Sequence, residues 1–255
     1  MAQLIRQLDM ELFGGCNYKC VMCPQGTEQG REKEFKKSLT WKNFIKIVED
    51  AISHGVEVIS LHGGGEPTMH KRFIDSIKYV KSKGVKCTTL SNGYTLDDNL
   101  IEQIVESGID VFKISVIGYD EETYKTSMKK DAFNQVRENV KKLVEVTSGT
   151  DTRIESQHLI LDSDNKEFEV ESLITNWVNY TGIDSEIWLM HNWSGVYTGP
   201  YERRKEERKG CGRPFKPMLQ VRAGGLNKHQ GAVVACCMVL GNDRVATLGH
   251  LDDQT

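Results

Sequence analysis

Six short apolar runs, each separated from the next by a stretch of helical periodicity, limit what this 255-residue chain can fold into. The strand-like runs are Asp9–Phe13, Val56–His62, Cys87–Leu90, Val111–Ile117, Thr152–Leu161 and Ser185–Met190. Helical patterns fill the intervals over Thr40–Ser53, His70–Lys83, Asp97–Ser107, Glu121–Val146 and Lys166–Tyr180. Gly55, Gly84 and Gly108 stand where a helix must stop and the chain turn into a strand, and Thr40 and Asp97 are suited to cap the helices they precede. Strands alternating with helices predict a parallel α/β sheet with right-handed crossovers. Periodicity does not distinguish an open, doubly wound sheet from one curled toward a barrel. After Met190 the alternation ends. Residues 191–210 read as a linker, and 211–255 carry a different pattern, with one apolar strand, a glycine turn at Gly231 and a second short apolar run.

Bulk properties narrow the function classes. A hydrophobic content of 38% and a charged content of 27% are those of an ordinary globular domain. The net charge of −3 gives no electrostatic reason to expect a nucleic-acid partner. The one dense basic run, Arg203-Arg204-Lys205 with Arg208 and Lys209, is interleaved with Glu202, Glu206 and Glu207 and reads as a solvated face. The first 15 residues show no secretory signal, and no stretch approaches the roughly 20 apolar residues of a membrane span. Seven cysteines, odd in number and clustered, argue for metal ligation in a reducing compartment, with the cytoplasm the expected address.

Three of those cysteines, Cys16, Cys20 and Cys23, fall within eight residues directly after the first strand-like run. Three thiolates so placed can hold three corners of a four-iron cluster and leave the fourth iron open for chemistry. The first gap holds three residues, whereas zinc and ferredoxin runs repeat CxxC; a zinc site is the weaker alternative. Gly63-Gly64-Gly65-Glu66-Pro67 follows the second run and Ser91-Asn92-Gly93 the third. Taken alone, the first is either a glycine-rich turn or a place where backbone approaches a ligand, and the second is either an Asx-type turn or a ligand contact. Glu66 could fix its loop or meet a ligand amine, and the former is favoured.

The CxxxCxxC run, the GGEP turn and the Ser-Asn-Gly turn together resemble the radical S-adenosylmethionine (SAM) enzymes along most of the chain. The resemblance implies a partial (β/α)6 TIM-like barrel with parallel strands over 1–190. It implies a [4Fe-4S] cluster held by Cys16, Cys20 and Cys23, whose open iron binds the amino and carboxylate groups of SAM. Reductive cleavage there yields a 5′-deoxyadenosyl radical that abstracts a substrate hydrogen. Gly64, Gly65 and Glu66 would lie at the SAM amino group, Ser91 and Asn92 near the ribose, and Ser115 at the carboxylate or ribose. Met22 would form part of the adenine wall. Family members often carry an arginine shortly after the Tyr124 position, where this chain reads Ser127-Met128-Lys129-Lys130, so a lysine, Lys129 or Lys130, or another group must serve.

The tail also carries a resemblance. Cys211, Cys236-Cys237 and Leu248-Gly249-His250-Leu251 are similar to the opening of a SPASM or twitch domain, which binds auxiliary iron–sulfur clusters. Cys211 and Cys237 are the ligands this implies, with Cys236 the alternative to Cys237. The later CxxC pair of that pattern is absent before Thr255, which favours a truncated sequence. Cys87, inside an apolar run, reads as a packed thiol. His62, His158 and His191 sit near strand ends where substrate belongs, and the run His191-Asn192-Trp193-Ser194-Gly195 is the best substrate-facing candidate. The cysteine run begins so early that no peptide-recognition domain precedes it, which tilts the expected substrate toward a small polar molecule such as a sugar or aminocyclitol. A peptide is the alternative substrate, and flavodoxin or ferredoxin the expected reductant. A rival from another class is a non-catalytic iron–sulfur electron carrier or sensor.

Overall fold

The structure is a computed structural model, and it describes residues 5–28, 37–190, 197–199, 216–239 and 246–252. Six parallel strands form its body: β1 (Gln7–Met10), β2 (Val58–Leu61), β3 (Lys86–Ser91), β4 (Val111–Ile117), β5 (Arg153–Ile160) and β6 (Asp184–Leu189). They lie side by side in chain order, without reversal. A doubly wound sheet needs a reversal to place helices on both faces. Unreversed order with right-handed crossovers puts every helix on one face, which is barrel winding. The sheet stays open, with β6 at one edge, as a partial TIM-like barrel does.

The crossover helices are α1 (Trp41–Ser53), α2 (Phe73–Ser82) and α3 (Asp98–Glu106). After β4 come α4 (Glu121–Met128) and α5 (Phe133–Thr147), and after β5 comes α6 (Lys166–Leu173), continued by a π turn over Ile174–Val178 and a last turn, α7 (Asn179–Thr181). Each long helix buries an i, i+3/i+4 stripe, such as Phe44, Ile47 and Val48 of α1 or Val136, Val140 and Leu143 of α5. Thr40 and Asp97 cap α1 and α3 as expected, accepting from Asn43 N–H at 3.3 Å and Leu100 N–H at 2.8 Å. Gly55, Gly84 and Gly108 all take positive φ after their helices.

One expectation is corrected. Glu121–Val146 is not a single helix: α4 ends at Lys129, which adopts the left-handed conformation at φ 54°. The reason is visible in the apolar stripes. Tyr124, Ser127 and Met128 are buried from α4, and Phe133, Val136 and Val140 from α5. At about 100° per residue those two sets lie on nearly opposite faces of one continuous helix, so both can reach the core only if the chain breaks between them.

The two faces of the sheet differ. Phe112, Ile114 and Val116 of β4 and Ile154 and Ile160 of β5 are buried against the helices. Alternation and register put Asp9, Ser60 and Thr88 together on the concave face, with Lys113 and Ser115 of β4 opposite Glu155 and Gln157 of β5. The tail extends the same sheet from the β1 edge. β7 (Met218–Arg222) runs parallel to β1, and β8 (Ala232–Val234) and β9 (Thr247–His250) follow antiparallel. Gln230 fastens this unit to α1: its carbonyl oxygen accepts from Thr40 N–H at 3.1 Å and from Asn43 at 3.0 Å. No helix among the described residues is long and apolar enough to cross a membrane.

Candidate active site

Three loops meet at the C-terminal ends of β1, β2 and β3, the end where barrel sites are built. The first carries the cysteines. Tyr18 N–H reaches Cys16 Sγ at 3.4 Å, Cys23 N–H donates to the Cys20 carbonyl at 3.1 Å, and Gly26 N–H donates to the Cys23 carbonyl at 2.8 Å. The loop is braced from α4, whose Ser127 carbonyl accepts from Val21 N–H at 2.9 Å. Cys20 Sγ sits 3.5 Å from Met128 Sδ. All three thiols are half-buried and outside any disulfide. Met22 points into the core, 4% exposed.

The second loop explains its glycines. A Cβ on Gly65 would lie 1.9 Å from the Phe13 carbonyl oxygen and 2.7 Å from that of Gly15, so only glycine lets the turn lie flat on the cysteine loop. Glu66 N–H donates to the Gly15 carbonyl at 2.9 Å and locks that approach. The Glu66 carboxylate, 3% exposed, is the loop-fixing group the sequence favoured. One oxygen accepts from Ser91 Oγ at 2.8 Å and Thr68 Oγ1 at 2.6 Å, and the other from Asn92 N–H at 2.8 Å. Glu66 therefore ties the Gly-rich turn to the Ser-Asn-Gly turn. Asn92 reaches on, donating to Asn17 Oδ1 at 2.7 Å and lying 3.8 Å from Cys16 Sγ. Ser115 stands half-buried on the concave face of β4, opposite Gln157.

Electrostatics follow from burial. Desolvation pushes Cys16 up to about 12, with Glu66 adding to the rise and the Tyr18 N–H opposing it. Burial likewise raises Cys20 and Cys23; at Cys23, Arg222 is the cation that opposes the rise and Glu11 an anion that adds to it. Thiols held this way stay protonated until a cation compensates them, which is what iron ligation provides. The donor set and the flat Gly65 cradle fit a [4Fe-4S] cluster. Among the described residues no three His, Cys, Asp or Glu side chains converge on a single-ion site. Burial also raises Glu66, against the hydrogen bonds from Thr68, Asn92 and Ser91.

Several contributors escaped the sequence reading. Glu11 accepts from Gly64 N–H at 2.5 Å and from Ala223 N–H at 3.2 Å. Tyr18 and Tyr124 join hydroxyls at 3.0 Å. Two acidic residues alternating within the first apolar run, Asp9 and Glu11, were a signal that this strand has a polar face. Of the two candidate lysines, Lys129 is exposed, while half-buried Lys130 places Nζ 4.3 Å from the Tyr94 ring centre, beside the Ser-Asn-Gly turn. His62 lies on the concave side, 2.7 Å from Ser60 Oγ. His158 does not: it is buried on the helix face with Ser156 at 3.0 Å and the Trp177 ring centre 6.1 Å away, tilted by 60°. Cys87 is fully buried, a packed thiol raised by desolvation. Cys236 and Cys237 are half-buried in the turn after β8. Cys211 and the run 191–195 lie outside the described residues.

Comparison with known proteins agrees with this geometry. Residues 10–168, more than half of the chain, match the radical SAM superfamily. The chain belongs to that superfamily. That family implies a [4Fe-4S] cluster and SAM. Over 113 residues it is 31% identical to the tungsten-containing aldehyde ferredoxin oxidoreductase cofactor-modifying protein of Pyrococcus furiosus, a match covering 44% of this chain and 31% of that protein. The chain spans less than half the length of the curated relatives it matches first. Two solved structures share the fold. Streptococcus suis SuiB bound to the precursor peptide SuiA has a TM-score of 0.64 at 17% identity, covering 79% of this chain and 43% of that one. BtrN in complex with AdoMet and 2-DOIA has a TM-score of 0.60 at 16% identity, covering 100% of this chain and 81% of that one.

Proposed function

We propose that Cys16, Cys20 and Cys23 hold the catalytic cluster and that Gly64, Gly65, Glu66, Ser91, Asn92 and Ser115 form the SAM pocket, with Met22 facing the adenine through its backbone while its side chain packs in the core. When bound, the cluster and SAM supply a 5′-deoxyadenosyl radical for hydrogen abstraction from substrate. The residues of this chain hold and orient. Gly65 keeps the second loop flat against the cysteines, leaving backbone carbonyls to accept from the SAM amino group. Glu66 aligns that loop with Ser91 and Asn92 while spending its own acceptors internally. Lys130 stands at the pocket margin as a point charge for the carboxylate, without the fork of an arginine. The partition is a core over 1–190, a linker over 191–210, and an auxiliary-cluster unit over 211–255 to which Cys211 and Cys237 belong. The reductant is a flavodoxin- or ferredoxin-type protein of the cytoplasm.

The substrate is a small polar molecule such as a sugar or aminocyclitol. The observation that carries this reading is the concave face, where Ser115 and Gln157 pair across strands and Lys113 Nζ lies 3.1 Å from Glu155 and 3.6 Å from Glu186. Such a wall offers donors and acceptors to hydroxyl and amino groups and little apolar surface. BtrN, whose solved complex holds AdoMet and 2-DOIA, is a structural neighbour in keeping with this reading. A precursor peptide, as SuiB binds, is the second reading, supported by the similar TM-score.

The test is anaerobic reconstitution with iron and sulfide, reduction, and chromatography for 5′-deoxyadenosine, beside a triple Cys16→Ala, Cys20→Ala, Cys23→Ala variant. Product in the parent and none in the variant supports the cluster assignment. A cluster that forms without cleaving SAM returns the chain to the electron-carrier class. Substrate class is then read from which of a panel of aminocyclitols, sugars and peptides raises 5′-deoxyadenosine above the uncoupled rate.

A further inference from the structure

β7 delivers Arg222 into the space between the cysteine loop and the tail, where it is 2% exposed between apolar Val221 and Ala223. Its guanidinium works in three directions. Nε donates to the Val239 carbonyl at 2.7 Å, Nη2 donates to the Cys237 carbonyl, and Nη1 lies 3.6 Å from Glu11 Oε2. Glu11, 4% exposed, uses that same oxygen to accept from Gly64 N–H. One buried ion pair thus spans from the turn after β8 to the Gly-rich turn after β2. Apolar residues of equal volume often stabilise a fold as well as a buried ion pair does, but they do not fix partners at set positions as this pair does.

We propose that Arg222, acting through Glu11, is a positioning residue that couples the Cys236–Val239 turn to the Gly64 amide, so that the seating of the tail sets the geometry of the SAM-binding turn. The inference rests on the reading of Gly64 and Gly65 as SAM-facing. The fork of an arginine is required, because two carbonyls and a carboxylate are held at once; a lysine brings the charge but cannot span them. The same cation acts electrostatically on Cys23, and positive charge favours the reduced, more negative state of a cluster.

The test uses the full chain with three variants: Arg222→Met, Arg222→Lys, and Arg222→Met combined with Glu11→Gln. Hydrogen exchange at the Gly64 segment and at 236–239 is measured on the apoprotein. Thermal unfolding, SAM dissociation by equilibrium dialysis and the cluster midpoint potential are measured after reconstitution. In Arg222→Met both segments exchange faster together, SAM binds about tenfold more weakly, as loss of a charge-assisted contact implies, and the midpoint moves to more negative potential. Arg222→Lys restores the potential but not SAM affinity. The double variant recovers thermal stability, since no unpaired carboxylate stays buried, yet keeps the weak SAM binding. Recovery of stability and SAM affinity together in the double variant overturns the proposal, and so does faster exchange at 236–239 with none at Gly64. Should the parent bind no SAM, the reading of the pocket fails, while the exchange data still decide whether the two turns are coupled.

Discussion

Glu66 shows how a motif residue can act without touching the chemistry. Its two oxygens take hydrogen bonds from Ser91, Thr68 and Asn92, which leaves it little capacity for a ligand. Glu66→Gln replaces one acceptor by a donor facing donors, so the loops should separate at a cost of about 1–3 kcal/mol and SAM should bind more weakly; calorimetry and dialysis on the same sample check this. Gly65→Ala is the sharper test of the cradle. Its Cβ meets backbone rather than a flexible side chain, so iron content after reconstitution should fall together with SAM affinity. An alanine variant with normal iron and normal affinity would show that the turn has no need to lie flat. His158 carries a pH prediction of its own. Burial depresses it from 6.5 to about 4. The unfolded chain therefore takes up the proton first, and the stability of the neutral form, present above about pH 6.5, is lost as pH falls toward 4. The loss amounts to at most about 3 kcal/mol, at roughly 1.4 kcal/mol per pH unit. Denaturant unfolding from pH 7 to 4 should be shallower in His158→Gln than in the parent.

At the scale of elements, caps and stops were legible in the chain, because Thr40, Asp97 and the three helix-ending glycines act through backbone chemistry within a few residues of themselves. The break between α4 and α5 was not, since helical periodicity continues across it and only the change of stripe phase betrays it. Lys129 carries the strain of that break, being an exposed lysine in the left-handed region. Lys129→Gly should stabilise the protein by about 1 kcal/mol, seen as a melting temperature a few degrees higher. No gain would mean that the lysine side chain compensates elsewhere. The break also serves the site, because the end of α4 is where the Ser127 carbonyl and Met128 brace the cysteine loop.

At the scale of the whole molecule, chain-order strands gather three loops at one end of the sheet, and the tail adds β7 to the free edge of β1. The tail is tied to α1 by polar contacts of Gln230 and by Lys46 Nζ, which donates to the Leu251 carbonyl at 3.2 Å. Gln230→Ala should therefore loosen the tail selectively. Hydrogen exchange over 246–252 should speed up several-fold while β3 to β5 keep their protection. A uniform rise across the sheet would instead mean that the tail is part of one cooperative unit with the core.

The chain by itself determined the class of fold and the end of the sheet at which the three motif turns meet. Alternating apolar runs dictate parallel strands, and the cysteine, Gly-rich and Ser-Asn-Gly turns each lie directly after a strand, so local spacing already puts them at one end of a sheet. Only the tertiary structure decided which charges meet inside it. Glu11 and Arg222 are 211 positions apart in numbering, as are Asp9 and Gln220, whose side chains bond at 2.5 Å. Both pairings arise because β7 lies parallel against β1. No local pattern encodes that choice of neighbour, because an apolar strand is compatible with any free edge and the energy that selects one comes from side chains far apart in sequence.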